Sequence, residues 1–281
     1  MRSYGLRARP ADNKNVVVLL ENEFMDAIKR KIEDLSKQLD DHNYNYYVLS
    51  NPTISDFEFD KLLEELIALE KANPEYLLPS SPSQRVGGQI TKEFKTVKHK
   101  YAMLSLGNTY SEEELIDFDE RVKKGLHGSY EYVCELKYDG VAIGLTYVDG
   151  KLVRAVTRGD GEQGDDVTTN VKTIKSIPLK LRGSNHPKEF EIRGEIFMTR
   201  NSFAKINKER EEIGEPPLAN PRNAASGTLK MQDSNVVAKR NLSCYFYFML
   251  GEDLPYKSHY ENLQVAKEWG FRVPDSIIKT D

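Results

Sequence analysis

A glutamate, a lysine and an aspartate occupy alternate positions within residues 134–140, CELKYDG, at the end of an apolar run. The run 130–137 has the composition of a β-strand, and in a strand Glu135 and Lys137 would point to the same face. Two charges on the inner face of a sheet would be costly to bury. The stretch therefore predicts either an exposed ion pair or a site that uses the lysine.

Charged residues interrupt two further strand-like runs. Arg158 ends one of them and begins Arg-Gly-Asp-Gly, while Arg193-Gly-Glu195 interrupts the run 188–199. Because side chains alternate along a strand, Glu191, Arg193 and Glu195 would share one face. A structural ion pair could explain any one of these groups, but several charged groups at strand ends indicate a cleft.

Gly159, Gly161 and Gly164 match the spacing of a dinucleotide-binding glycine loop, and a strand precedes them. Such a loop also requires a helix to begin there. The residues that follow, DDVTTN, favour a turn, and their carboxylates would repel a pyrophosphate. A Rossmann-type site is therefore the weakest of the functional alternatives.

The composition is typical of a soluble globular protein with one or two domains. The chain has 281 residues, of which 30% are charged and 39% hydrophobic, and its formal net charge is −4. This net negative charge argues against a protein whose whole surface binds nucleic acid.

The cysteines and the apolar runs indicate the compartment. Cys134 and Cys244 lie in apolar runs, so we expect buried thiols in a reducing compartment. No run approaches the roughly 18 apolar residues of a membrane span, and we expect a cytoplasmic protein.

Two helices are predicted near the start of the chain. An apolar stripe from Phe24 to Leu39 recurs at three- and four-residue steps and predicts the first helix. Ser55 and Glu58 form a capping box that predicts the start of the second, and Pro74 ends it. The Pro- and Ser-rich stretch that follows is typical of a linker.

After this linker the pattern changes to strands, hairpin turns and interspersed helices. Asp149-Gly150 predicts a tight hairpin, and Ser111 predicts the cap of a helix. The pattern favours antiparallel sheets and an α+β fold. The expected organisation is an extension of unknown role (1–23), a helical domain (24–75) and an α+β domain (76–281).

Three segments resemble, in order, the motifs of the covalent nucleotidyltransferases: ELKYDG (135–140), RGDG (158–161) and RGE (193–195). More specifically, the chain resembles the bacterial NAD-dependent DNA ligases, whose helical domain carries a loop rich in tyrosine and aspartate. The matching segments are HNYNYYVLSNPTISDFEFD (42–60), MLSLGN (103–108) and NPRNAASGTLK (220–230). The resemblance runs from about residue 25 to the end of the sequence.

This resemblance implies that Lys137 attacks the adenylate phosphate of NAD. Nicotinamide mononucleotide leaves, and AMP passes from the lysine to the 5′-phosphate of nicked double-stranded DNA, with Mg²⁺ offsetting phosphate charge. A lysine of unperturbed pKa near 10.4 is neutral in about one molecule in a thousand at pH 7.5. We therefore expect Arg158 and partial burial to lower the pKa of Lys137. We expect no membrane partner and a monomer.

The resemblance also implies a role for each matched position. Glu195 would bind the ribose and Arg158 the ribose or phosphate, while Asp139 would position the lysine or a metal ion. Arg222 would approach phosphate, DNA or an acidic neighbour. The residues on the adenosine side would be Ser105, Leu106, Glu135 and Leu136. The residues that hold the nicotinamide nucleotide would be Tyr46, Tyr47, Asp56, Phe59 and Asp60.

The sequence departs from the family pattern at Phe59, Ala102 and Lys230, where the family has tyrosine, proline and arginine. The family's later lysine motifs and its zinc site are expected to lie outside this sequence, so we expect the front part of a ligase that does not seal DNA alone.

Two alternative functions remain besides the Rossmann-type site. One alternative is an ATP- or GTP-using nucleotidyltransferase, against which the tyrosine/aspartate loop argues. Another is a non-catalytic DNA- or protein-binding fragment that uses the basic stretch 92–100.

Overall fold

The structure is a computed structural model that describes residues 13–49, 51–85 and 93–280. For residues 13–24 and 56 it describes the backbone alone. Residues 1–12 of the predicted extension, part of the predicted linker and of the basic stretch 92–100, and the side chain of Asp56 therefore lie outside the described residues.

Two helices form the first unit, α1 (Asn13–Asn43) and α2 (Asp56–Ala72), and a π-helical turn over Tyr44–Val48 follows α1. The predicted capping box of α2 is confirmed, because Ser55 N donates to Glu58 Oε2 at 2.9 Å and Glu58 N donates back to the Ser55 hydroxyl. The side chain of Phe24 lies outside the described residues, but from Ile28 onward the apolar stripe is confirmed: Ile32, Leu35 and Leu39 pack with Leu66 of α2 in a small separate core.

The remaining helices belong to the second unit. They are α3 (Glu112–Gly125), α4 (Thr168–Val171), α5 (Arg200–Glu212), α6 (Pro221–Leu229), α7 (Ser234–Lys239) and α8 (His259–Glu268). α3 starts after Ser111 as predicted, but its capping box is incomplete, because Glu114 Oε2 accepts from Tyr110 N at 2.6 Å. Gly270, with φ of 100°, follows the C-cap Trp269 and ends α8 in the left-handed conformation.

The strands are β1 (Thr96–Lys98), β2 (Tyr132–Cys134), β3 (Val141–Val148), β4 (Lys151–Thr157), β5 (Gln163–Asp165), β6 (Glu189–Met198), β7 (Leu242–Leu250) and β8 (Ile278–Thr280). The main sheet has the order β4-β3-β6-β7, and β1 pairs with β5 and β2 with β8. Every pairing is antiparallel. The predicted α+β fold with antiparallel sheets is confirmed.

The β3–β4 hairpin turns at the predicted Asp149-Gly150 pair. Asp149 has φ of 47° and Gly150 has φ of 71°. A two-residue turn with both φ values positive matches the right-handed twist of the strands it joins. The hairpin therefore fixes the register of β3, which is the strand that follows the lysine segment.

One face of the main sheet is apolar and the other carries charge. Ile143, Ile192 and Phe246 are fully buried on the apolar face, which packs against residues 167–181 and α8. On the other face, Arg193 Nε donates to Glu191 Oε1 at 2.9 Å, so the predicted pairing of these residues on one face is present. The alternation of β6 thus separates a core side from a polar side.

Two sequence expectations were wrong. β2 ends at Cys134 instead of continuing to residue 137, and the Cys134 side chain is exposed, whereas Cys244 is buried as expected. As expected from DDVTTN, no helix starts where a dinucleotide site would need one: the loop of Gly159, Gly161 and Gly164 leads into β5, and α4 begins later at Thr168. None of the described helices is long and apolar enough to cross a membrane.

Candidate active site

The lysine segment, residues 135–140, lies outside any regular strand. β2 pairs with the short strand β8, and their last paired residue is Cys134, so the chain leaves the ladder before Glu135. Lys137 and Leu136 are exposed, while Glu135 is half-buried. The partial burial expected for Lys137 is therefore not observed. The position of the lysine must instead be fixed by the side chains around the segment.

Two contacts hold the C-terminal half of the lysine segment. Gly140 N donates to Glu195 Oε1 of β6 at 3.0 Å. Asp139 Oδ1 accepts from Arg222 Nη1 of α6 at 3.0 Å. A Cβ at Gly140 would lie 2.1 Å from the backbone oxygen of Ile196, so glycine is required for this close approach to β6.

A third contact holds the N-terminal half. Glu135 Oε1 lies 2.7 Å from His259 Nε2, at the first residue of α8. Between these anchors the Tyr138 ring packs on the sheet, with its centroid 4.5 Å from that of Tyr245. The segment is thus fixed by β6, α6 and α8, and it presents Lys137 to solvent.

Burial raises the pKa of the Glu195 carboxyl above its usual range. The backbone N–H of Gly140 and the positive charges of Lys137 and Arg222 act in the opposite direction. This balance indicates that the two cations lie within electrostatic range of Glu195. The structure therefore brings together Glu195, Asp139, Arg222 and Lys137 from the predicted site.

Arg158 also lies on the charged side of the sheet. It follows β4, and its backbone N donates to Ala142 O at 3.1 Å. Burial raises the pKa of Tyr247 to about 12, with a further upward effect from Glu195, while Arg193 and Arg158 act against it. Tyr247 thus shares one electrostatic environment with Glu195, Arg193 and Arg158, although the motif analysis did not single it out.

Ser105 and Leu106 lie in an exposed loop beside the Arg158 turn. Met103, which precedes them, is buried, and its backbone N donates to Gly161 O at 2.8 Å. This contact ties the loop to the turn after β4. The structure therefore places Ser105 and Leu106 near the edge of the charged face without fixing their side chains in it.

The predicted nicotinamide-binding residues form a second group. The Tyr46 and Tyr47 rings lie 4.6 Å apart, and Lys175 Nζ lies 5.4 Å from the Tyr47 ring and 5.8 Å from the Phe59 ring. Asp60 is exposed on α2. Lys175 thus contacts the Tyr47 and Phe59 rings, and in the described part of the chain no ring contact joins this group to the lysine segment.

The two groups lie on different sides of the main sheet. Ile174 and Ile177, which flank Lys175, belong to the core on the apolar face. Arg182 pairs with Asp41 at 2.8 Å, and its guanidinium carbon lies 4.4 Å from the centroid of the Tyr44 ring, so the helical unit is docked on that side. The charged face with Lys137 is the opposite one.

The described residues contain no cluster of three or more His, Cys, Asp or Glu side chains suited to a metal ion. Mg²⁺ in phosphate-transfer sites is commonly held by one or two carboxylates together with substrate phosphates. Asp139 and Glu195 supply two carboxylates beside the lysine segment. The residues therefore fit a magnesium ion held largely by a phosphate ligand.

Sequence reasoning missed two residues of this region, Tyr247 and His259. Tyr247 could have been found from alternation, because Cys244 and Phe246 are buried in β7 and their neighbours must face the other side. No local pattern indicates His259, since it meets Glu135 across 124 positions of sequence. Lys230, one of the departures, pairs with Asp165 at 2.8 Å.

Two family models match the chain. Residues 91–281 match the NAD-dependent DNA ligase adenylation domain, and residues 25–87 match the DNA ligase-like N-terminal NAD⁺-binding domain. Together these matches cover the helical unit and the unit with the main sheet.

Curated relatives are similar over the same range. The chain is 60% identical over 252 residues to a DNA ligase of Parabacteroides distasonis, which is 90% of this chain and 38% of that protein. The corresponding values are 60%, 90% and 38% for a DNA ligase of Bacteroides fragilis, and 59%, 88% and 37% for one of Cytophaga hutchinsonii. The chain thus spans about two fifths of the length of these relatives.

Proposed function

Because the chain belongs to the NAD-dependent DNA ligase family through its adenylation domain, we propose that it transfers AMP from NAD to Lys137. The neutral Nζ attacks the α-phosphorus of the adenylate half. A nitrogen–phosphorus bond forms, the bond between that phosphorus and the bridging oxygen of the pyrophosphate breaks, and nicotinamide mononucleotide leaves with the electron pair. The amine proton passes to solvent. The observation that carries this proposal is an exposed lysine held between Glu195 and the Asp139–Arg222 pair.

Each neighbouring group has a proposed task in this step. Glu195 accepts a hydrogen bond from the ribose, and Arg158 and Arg222 neutralise phosphate oxygens. Asp139 orients the lysine segment and would hold Mg²⁺, which would offset charge on the phosphate. The adenosine side is lined by Ser105, Leu106, Glu135 and Leu136. Tyr247 offers a half-buried ring on which a base can stack.

The helical unit, residues 24–75, is proposed to hold the nicotinamide mononucleotide half of NAD through Tyr46, Tyr47, Asp56, Phe59 and Asp60. The Tyr47 and Phe59 rings contact Lys175 on the apolar side of the sheet. To reach a dinucleotide at Lys137, the helical unit must therefore leave this position. The α+β unit, residues 76–281, supplies the reacting lysine. We place this activity in the bacterial cytoplasm, with nicked DNA as the eventual acceptor of AMP.

Covalent labelling tests the proposed function. The chain is incubated with Mg²⁺ and NAD labelled in its AMP moiety and is then separated on a denaturing gel. We expect label to remain on the wild-type chain, and to be lost in Lys137→Ala and after chelation of the metal. The control variant is Lys151→Ala. Lys151 follows the β3–β4 turn and is exposed like Lys137, so its replacement should leave the label in place.

Parallel samples with labelled ATP separate the alternatives. Label from ATP and not from NAD would identify an ATP-using nucleotidyltransferase. Label that survives Lys137→Ala would place the nucleophile elsewhere. If no label remains on the wild-type chain, calorimetric titration with NAD distinguishes a chain that binds NAD without reacting from one that does not bind it, and the latter result would overturn the proposal.

A further inference from the structure

The contact between His259 and Glu135 has no task in the proposed transfer of AMP from NAD to Lys137. The Nε2–Oε1 distance is 2.7 Å, and the two side chains are 30% and 20% exposed. Glu135 stands two residues before Lys137, at the point where the chain has left β2. Because the segment is not part of a ladder there, a side-chain contact is what holds Glu135 in place.

His259 is itself held firmly. It is the first residue of α8, whose N-cap Ser258 accepts a hydrogen bond from Glu261 N. Leu263 and Ala266 of the same helix are fully buried in the main core. The His259 ring also lies 5.4 Å from the Phe248 ring of β7. The imidazole is thus carried on an element that the core fixes relative to the sheet.

The contact with His259 determines which carboxylate oxygen of Glu135 remains available as a hydrogen-bond acceptor. An ionised carboxylate only accepts hydrogen bonds, so Nε2 of His259 must carry the proton that it donates. This donation occupies Oε1 of Glu135 and leaves Oε2 as an acceptor. An acceptor held in a fixed position binds an N–H donor of a ligand and repels a carbonyl oxygen at the same place.

We propose that His259 is a positioning residue for the Glu135 carboxylate, and that through Glu135 it makes the site prefer a purine with an exocyclic amine over one with a carbonyl oxygen there. The inference rests on the proposed function, because it takes Glu135 to line the adenosine side of bound NAD. Adenine carries an amine at the discriminating position and hypoxanthine carries an oxygen. His259 would therefore contribute to the choice of dinucleotide without contacting it.

The test compares NAD with nicotinamide hypoxanthine dinucleotide in calorimetric titrations of the full chain. For the wild-type chain we expect tighter binding of NAD. His259→Ala should weaken NAD binding about tenfold and change binding of the hypoxanthine dinucleotide much less, since the loss of a hydrogen bond to a charged group is of this order. His259→Gln, whose amide N–H can replace Nε2, should restore most of the preference. His186→Ala, which alters another ring contact of the same unit with Trp269, is the control.

Each outcome decides the matter. An unchanged NAD-to-hypoxanthine ratio in His259→Ala, or an equal loss of both affinities, would overturn the inference and leave the proposed function intact. Wild-type chain that binds neither dinucleotide would overturn both. If His259→Ala does not fold, His259→Asn and His259→Gln are compared instead, because the shorter amide cannot reach Glu135; equal ratios in this pair would overturn the inference.

Discussion

The residues around Lys137 combine strong positional constraint with high exposure. Arg222 and Asp139 are 59% and 73% exposed. Exposed ion pairs generally add about 0–1 kcal/mol to the free energy of unfolding. The geometry of this pair is therefore better explained by the orientation of the lysine segment than by stability. Their motifs were evident in the sequence, whereas their contact spans 83 positions and became evident only in the fold.

Replacement of Asp139 separates its role in orienting the lysine segment from its contribution to the free energy of unfolding. We expect Asp139→Asn to reduce the rate of labelling by NAD at least tenfold, because about 1.4 kcal/mol of lost orientation or charge stabilisation suffices for that factor. The unfolding midpoint should change little, since the pair is exposed. Thermal unfolding and the initial labelling rate check the two expectations. Glu120→Gln removes an ion pair of similar exposure in α3 and should leave both values unchanged; a comparable loss of labelling there would argue against a specific role of Asp139.

At the scale of elements, periodicity predicted most of the main sheet. β3, β4, β6 and β7 lie within two residues of the ends of the runs that predict them (141–148, 151–157, 188–199 and 241–250), because each strand contributes apolar side chains to a single core. The prediction of a strand over residues 130–137 was wrong in length, because the apolar pattern of a strand does not tell how many residues its partner strand can pair with. β8 offers three, so β2 ends at Cys134. The departure of the chain from the ladder is what frees Lys137.

Glycine at position 140 is required for the close approach of the lysine segment to β6. A Cβ there would lie 2.1 Å from Ile196 O, a backbone atom of β6 that cannot move without distorting the sheet. We expect Gly140→Ala to destabilise the chain by about 1–3 kcal/mol, as overpacking does, and to abolish labelling by NAD. Chemical denaturation measures the first effect and the labelling gel the second.

Gly227 provides the matched control for this substitution. It lies in α6, and a Cβ there would meet nothing within 4 Å. Because alanine is favoured over glycine in a helix by about 1 kcal/mol, Gly227→Ala should leave stability unchanged or raise it. Equal destabilisation by both substitutions would show that close approach to β6 is not the reason for glycine at position 140.

At the scale of the whole molecule, the docking of the helical unit could not be predicted from sequence patterns. Its contacts join residues far apart in the chain, such as Asp41 with Arg182 and Tyr44 with Lys267. A cavity of 720 Å³ lies at this junction, lined by residues of both units that include Asp40, Glu70, Lys180 and Arg182. The cavity lies on the side of the sheet away from Lys137, so it belongs to the docking of the units and not to the candidate active site.

Asp40 makes this docking sensitive to pH. Burial raises the pKa of its carboxyl from 3.8 to about 6, against the lowering effect of Arg85 and Lys180. Because the folded chain binds this proton at a higher pH than the unfolded chain, the contribution of Asp40 to stability rises as the pH falls from about 7 to about 4. Near pH 7.5 the buried carboxylate is a net cost.

Asp40→Asn should therefore stabilise the docked chain at pH 7.5 by about 2 kcal/mol, a value reduced from the full pKa shift because Asp40 is only partly buried. The gain over the wild-type chain should shrink at pH 5, where the wild-type carboxyl is already protonated. Denaturant titrations at both pH values measure it, with the exposed Asp26→Asn of α1 as the control. The same gain at pH 5 and pH 7.5 would mean that protonation of Asp40 does not control the docking of the helical unit.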